Sequence, residues 1–168
     1  SSAWQTDEIR QHRPTPIDEA KWGFTTIEQT LWNAVPKFIR ELNGMVQAQC
    51  GQNLPLNIAP VRFASWMGGD RDGNPNVTHN VTQEVLWLSR WKAADLYLRD
   101  IENLRWELSI QQCSTEISKA LGQDHPEPYR EYLRDTRSRL KATRHWLAEK
   151  LKGNDADDSL VIKSKDEL

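Results

Sequence analysis

The chain has 168 residues, enough for one domain with its own core, and its 22 Lys and Arg against 24 Asp and Glu leave a formal net charge of −2. That balance argues against nucleic acid as a main partner, and no stretch is apolar enough to span a membrane. Cys50 and Cys113 lie far apart, as in a reduced cytosolic protein, and eight Trp against three Tyr and three Phe predict packing anchors on helix faces.

Pro14 and Pro16 break any earlier element. Ile17 to Ala20 then opens a helix, with Thr15 as its cap and acids in the first turn. Trp22, Phe24, Ile27, Leu31 and Trp32 form its apolar stripe, which Pro36 interrupts or restarts. A second helix, from Lys37 to about Cys50, carries Phe38, Leu42, Met45 and Val46, and Gly51 stops it. Leu54 to Pro60 is an extended connector. Val61 to Trp66 is short and partly alternating, and reads as a buried strand. From Thr78 or Asn80 to Ser109 runs the clearest helix. Trp87, Trp91, Ala94, Leu98, Ile101, Leu104 and Leu108 fall at steps of three and four, with Lys92, Asp95, Arg99 and Glu102 on the other face. A short helix follows over Thr115–Leu121, and a turn over Gln123–Pro128. The last helix, from about Pro128 to Lys152, points Leu133, Leu140, Leu147 and Leu151 inward. Gly153 to Ser159 is Asp-rich, so residues 1–152 read as one helical body and 153–168 as a flexible linker and tail.

The stretch richest in chemistry lies between the strand and the long helix. In FASWMGGDRDGNPNVT, Phe63 to Thr78, Gly68, Gly69 and Gly73 allow positive φ and close backbone approach. Asp70, Arg71 and Asp72 place alternating charges there, Asn74-Pro75-Asn76 makes a turn, and Thr78 caps the next helix. A strand, a glycine-rich charged loop and a helix are the usual construction of a site at the carboxyl end of a barrel or open sheet. A tight connection with an internal Asp–Arg pair explains the same residues equally well on local grounds. A calcium loop fails, because Pro75 and Val81 stand where Gly and Glu are required. A P-loop fails for want of Gly-Lys-Ser/Thr.

Other short motifs lead nowhere. Asn76-Val77-Thr78 and Asn80-Val81-Thr82 are sequons, and Lys165-Asp166-Glu167-Leu168 copies a retrieval signal; these read as chance and as an accident of where the chain stops. His12, His79, His125 and His145 have no metal-ligand spacing, and no nucleophile elbow is present. Eight Lys or Arg between Arg130 and Lys152 read as a solvated or docking face, since no aromatic or base-reading partners accompany them.

The Phe63–Thr78 run resembles the glycine-rich loop of phosphoenolpyruvate carboxylases. WQTDEIRQHRPTPIDEAKWGF, Trp4 to Phe24, resembles the family's segment a few dozen residues upstream of that loop. LWLSRWKAADLYLRDI (Leu86–Ile101) and YREYLRDTRSRLKATRHWLAEKLKG (Tyr129–Gly153) also fit, so the resemblance covers essentially the whole chain. The family's catalytic chain is several times longer. Its catalytic His segment precedes the start of this sequence, and its phosphate-binding arginines and acidic metal ligands follow the end. The resemblance therefore implies an internal piece of a bacterial-type carboxylase. The implied fold class is mainly α, part of a helix-rich (β/α) barrel with one or two barrel strands.

The resemblance also implies a reaction. Phosphoenolpyruvate and bicarbonate give oxaloacetate and phosphate, with magnesium or manganese in the whole enzyme and no metal bound by this piece. Trp66 matches the family Trp of the hydrophobic pocket at the substrate's methylene carbon. Gly68, Gly69, Asp70, Arg71, Asp72 and Asn74 match the loop at the barrel mouth, where they shape the site. Arg10 matches a basic residue that belongs, in plant members, to a sugar-phosphate activator site; bacterial members differ in activator. No catalytic residue is expected within the piece itself, which is expected to be inactive alone, cytoplasmic and homo-oligomeric. The alternative is a stand-alone helical interaction module descended from the carboxylase.

Overall fold

The computed structural model describes residues 14–108, 112–122 and 125–164. The chain is mainly helical and divides into two compact units, residues 1–85 and 86–168. Helix α1 (Pro16–Thr26) starts as its sequence requires. Thr15 accepts from the Asp18 amide while the Asp18 carboxylate accepts from Thr15, a complete capping box with Pro16 in the first turn. Those hydrogen bonds from the Thr15 side chain and backbone hold the Asp18 carboxyl below its ordinary range.

The first departure from expectation is at Pro36. Helix α2 (Trp32–Cys50) runs through it. The ladder departs from α geometry in a widened π turn just upstream, Ile27–Leu31, where the Trp32 amide reaches back to Ile27 O. Gly51 then ends α2 in the left-handed conformation, φ 69°, its amide donating to Gln47 O. The loop that follows is tied back to α2: Asn43 Oδ1 accepts from the Leu54 amide at 2.6 Å, and Asn43 Nδ2 donates to Asn53 Oδ1.

The second departure is the expected strand. Val61–Trp66 has no regular structure and is exposed, with Phe63 59% and Trp66 79% accessible. A strand is held by a neighbour's backbone, and no ladder forms among the described residues. The first unit buries Ala20 and Phe24 of α1 with Val77 and Val85.

Helix α3 (His79–Glu107) carries its opening turns in the first unit and the remainder in the second. Thr78 caps it, its Oγ1 accepting from the Val81 amide at 3.3 Å. In the second unit, α4 (Thr115–Leu121) is capped by the Ser114 hydroxyl and ended by Gly122 at φ 70°. The expected last helix is broken in two, α5 (Pro128–Tyr132) and α6 (Arg134–Leu151), with Leu133 at φ −82°, ψ −3° between them. Ala94, Leu98, Leu140 and Ile162 form the core of this unit, with Ile101 packed against them. Leu147 is fully buried, whereas Leu133 and Leu151 are only half-buried.

Beyond α6 the chain folds back. Val161 and Ile162 are buried, and both backbone polar groups of Ile162 are satisfied by side chains. Thr143 Oγ1 accepts from the Ile162 amide at 2.9 Å, and Arg90 donates to Ile162 O at 2.9 Å. The run before them is tied to α6 by Asn154 Nδ2, which donates to Glu149, and by the Lys150–Asp155 ion pair.

The described tryptophans are not core residues. Trp22, Trp66 and Trp106 are exposed and the rest half-buried. Lys92, Arg130 and Lys150 lie over the rings of Trp91, Trp106 and Trp146, 5.4–5.7 Å from their centroids. The basic run is likewise largely engaged. Arg137 Nε pairs with Glu102 at 2.6 Å, Lys141 reaches the same carboxylate at 3.6 Å, and Arg144 pairs with Asp95 at 2.8 Å. Arg134 pairs with Glu131 and Lys152 with Glu149. These cations pair with acids of α3 and with acids near them along the chain.

Candidate functional site at the glycine-rich loop

The loop between Ser65 and Thr78 is built from overlapping turns. Trp66 O accepts from the amides of Gly69 and Asp70 at 3.1 and 3.0 Å. Asp70 Oδ1 accepts from the Asp72 amide and Asn74 Oδ1 from the Asn76 amide, each side chain folding back two residues on. Arg71 O accepts from the Asn74 amide, and Asn74 O from the Val77 amide. Gly68 at φ 70° and Gly73 at φ 68° take the left-handed conformation that side chains other than glycine resist. Val77 is buried, so the loop returns to the core one residue before its cap.

This folding leaves a concavity of about 240 Å³, lined by Trp66, Met67, Gly68, Asp70, Asp72, Asn74 and Val77 together with Pro16 and Glu19 of α1. Five of the seven loop residues expected at the site, Trp66, Gly68, Asp70, Asp72 and Asn74, face this one space. Gly69 and Arg71 belong to the same turns and do not line it. Arg10 lies outside the described residues. Pro16, Glu19, Met67 and Val77 were not singled out from sequence. Pro16 and Glu19 had a signal available, since they sit within the Trp4–Phe24 motif. The two motifs that are far apart along the chain thus meet in one place.

The lining has one aromatic residue, the exposed Trp66, and three acidic ones, Asp70, Asp72 and Glu19. Among the described residues, no group of three or more His, Cys, Asp or Glu is arranged to hold a metal ion. The donor set therefore does not fit a divalent cation, and what it offers is shape, one indole and a mostly polar, hydrogen-bonding lining. No helix among the described residues is long and apolar enough to cross a membrane.

A family model described as phosphoenolpyruvate carboxylase matches residues 1–168. The phosphoenolpyruvate carboxylase of Acinetobacter baumannii is 84% identical over 168 residues, which are 100% of this chain and 19% of that protein. That of Acinetobacter baylyi is 77% identical over 99% of this chain and 19% of its own length. That of Marinobacter nauticus is 56% identical over 100% of this chain and again 19% of its own. The chain spans 19% of the length of these relatives.

Proposed function

The chain belongs to the phosphoenolpyruvate carboxylase family, and from that premise we propose that it supplies one wall of the substrate site of that enzyme. The observation that carries the reading is the concavity itself. Its lining comes from the loop Trp66–Val77 and from the first turn of α1, which lie in the two motifs that carry the resemblance to the family.

The proposed reaction has bicarbonate attack the phosphoryl group of phosphoenolpyruvate, giving carboxyphosphate and an enolate. Carboxyphosphate loses phosphate to give carbon dioxide, and the enolate carbon attacks it to form oxaloacetate. A proton from water at that carbon would give pyruvate instead, so the site needs an apolar wall there. Trp66 is assigned that wall. Gly68 and Gly69 let the backbone turn beneath it, and Asp70, Arg71, Asp72 and Asn74 hold the loop's shape at the mouth of the site. The whole enzyme is proposed to use magnesium or manganese. None of this chain's residues is assigned to holding the ion, and no step is derived through it. The 168-residue chain alone is proposed to be inactive, because residues for phosphate binding and proton transfer are not assigned within it. A cytoplasmic, homo-oligomeric enzyme is the accompanying proposal.

A coupled assay on the whole protein tests the reading. Bicarbonate-dependent oxaloacetate formation is expected, and its absence in well-folded enzyme refutes the assignment. Turnover by the purified 168-residue chain would refute the proposed inactivity.

A further inference from the structure

The loop is gripped from two sides at adjacent residues. On one side, Gly68 lies against α3. Its φ is 70°, and a Cβ placed there would stand 2.6 Å from Val85 Cγ2 and 2.9 Å from Val85 Cβ. Its carbonyl accepts from Thr82 Oγ1 at 2.7 Å in a half-buried setting. Thr82 and Val85 are separated by three positions and so share a face of α3. On the other side, Met67 fills the space over Gly23 of α1, where a Cβ would stand 2.3 Å from Met67 Cε and 2.5 Å from Sδ.

We propose that Thr82 and Val85 are positioning residues: they clamp Gly68 and so hold Trp66, Asp70 and Asp72 around the concavity. The competing account is that the Thr82 hydroxyl merely bonds its own helix, as threonines in helices often do. Thr78 O lies 3.2 Å from the same hydroxyl. One hydroxyl has one hydrogen, and the shorter, better-shielded partner is Gly68 O at 2.7 Å. Geometry thus favours the bond that crosses to the loop. The consequence follows directly. The amides of Gly69 and Asp70 fold back onto Trp66 O, so a loop freed at Gly68 loses that turn and the placement of the indole with it. This inference rests on the functional reading of the loop given above, but its first readout does not.

The experiment compares Thr82→Val, which keeps the shape and removes the donor, with Thr82→Ser, which keeps the donor. Amide hydrogen exchange over the Trp66–Val77 peptide is measured first. Losing one net hydrogen bond corresponds to roughly a tenfold change in an opening equilibrium, so about tenfold faster exchange is expected in Thr82→Val and near-native exchange in Thr82→Ser. Steady-state kinetics of the whole enzyme follow. A loop that must be ordered on binding lowers apparent affinity by the fraction already ordered. The KM for phosphoenolpyruvate should therefore rise as the ordered fraction falls, by at most about that factor, with kcat within about twofold, and Thr82→Ser should restore it. Unchanged exchange in Thr82→Val, or equal effects of the two variants, overturns the proposal. If Thr82→Val fails to fold, Val85→Ala tests the same clamp from its steric side, with faster loop exchange expected and native exchange overturning it. Faster exchange with unaltered kinetics would keep the clamp as a structural device and refute its role in positioning the site. If Trp66→Ala were also kinetically silent, the functional reading of the loop would fail instead.

Discussion

Gly68 and Gly73 offer a matched pair in which one physical term can be isolated. Both have φ near 70°, so alanine at either pays the left-handed penalty of about 1–2 kcal/mol. They differ in what the new methyl group meets. At Gly73 nothing lies within 4 Å, whereas at Gly68 it would overlap Val85, with Cγ2 at 2.6 Å and Cβ at 2.9 Å. Val85 is buried and β-branched on a helix, so it has little rotamer freedom with which to yield. Overpacking of this kind costs about 1–3 kcal/mol, and Gly68→Ala should therefore be the worse variant by about that amount. Urea unfolding of the chain, followed by far-ultraviolet circular dichroism, measures the difference. At an m value near 2 kcal/mol/M, the two midpoints should be separated by roughly 0.5–1.5 M. Equal midpoints would refute the reasoning, because they would mean that the loop does not press on α3 as the structure has it. Adding Val85→Ala to Gly68→Ala should recover part of the loss, since it removes the Cγ contacts and leaves the Cβ contact and the φ strain.

Thr143→Val should destabilise the second unit by about 1–3 kcal/mol, because the buried Ile162 amide would lose its 2.9 Å acceptor; Thr143→Ser should not, and thermal melts of the two variants check it. Glu102 gives a pH dependence. Burial by itself would raise its carboxyl, but the hydrogen bond from Arg137 and the charges of Arg137, Lys141 and Arg105 outweigh that and hold it below the ordinary carboxylate range. Its contribution is therefore fully present above the unfolded value, about 4.3, and is lost as pH falls through the lower folded value. Glu102→Gln should flatten the acid side of the stability curve, and because the carboxylate is partly exposed the loss at neutral pH should be about 1 kcal/mol or less. Self-association is expected from the exposed Trp22, Phe38, Met45 and Trp106, so light scattering of the isolated chain should show mass rising with concentration; a constant monomer mass would count against it.

Much of the helical architecture was legible because its signals are local. Thr15 and Gly51 are caps whose chemistry acts within a few residues, and the start of α1 and the end of α2 fall where they indicate. The rest depends on tertiary context, which local signals do not carry. Pro36 looks like a breaker, but one widened turn upstream accompanies its place inside a continuous helix. Val61–Trp66 has a strand's composition, yet a strand exists only with a partner, and none is present among the described residues. Leu133 breaks the last helix without a Gly or Pro to announce it. The basic run from Arg130 reads as a solvated or docking face, and the acids that pair with part of it, Glu102 and Asp95, lie on another helix and in another part of the sequence. The loop residues were identifiable from their motif. Their meeting with Pro16 and Glu19 was not, because no periodicity links segments so far apart.

The central claim, that the loop forms the apolar wall of a carboxylation site, is tested most directly by Trp66→Ala in the whole enzyme. Trp66 is 79% exposed within this chain, so its removal should cost this chain's fold little, unlike the roughly 3–5 kcal/mol expected of a buried Trp. The quantity to measure is pyruvate relative to oxaloacetate, per phosphate released, on folded protein. The account predicts a higher pyruvate fraction together with slower carboxylation, since water gains access to the enolate carbon. An unchanged ratio with only a reduced yield of folded enzyme would contradict it and return Trp66 to a packing role.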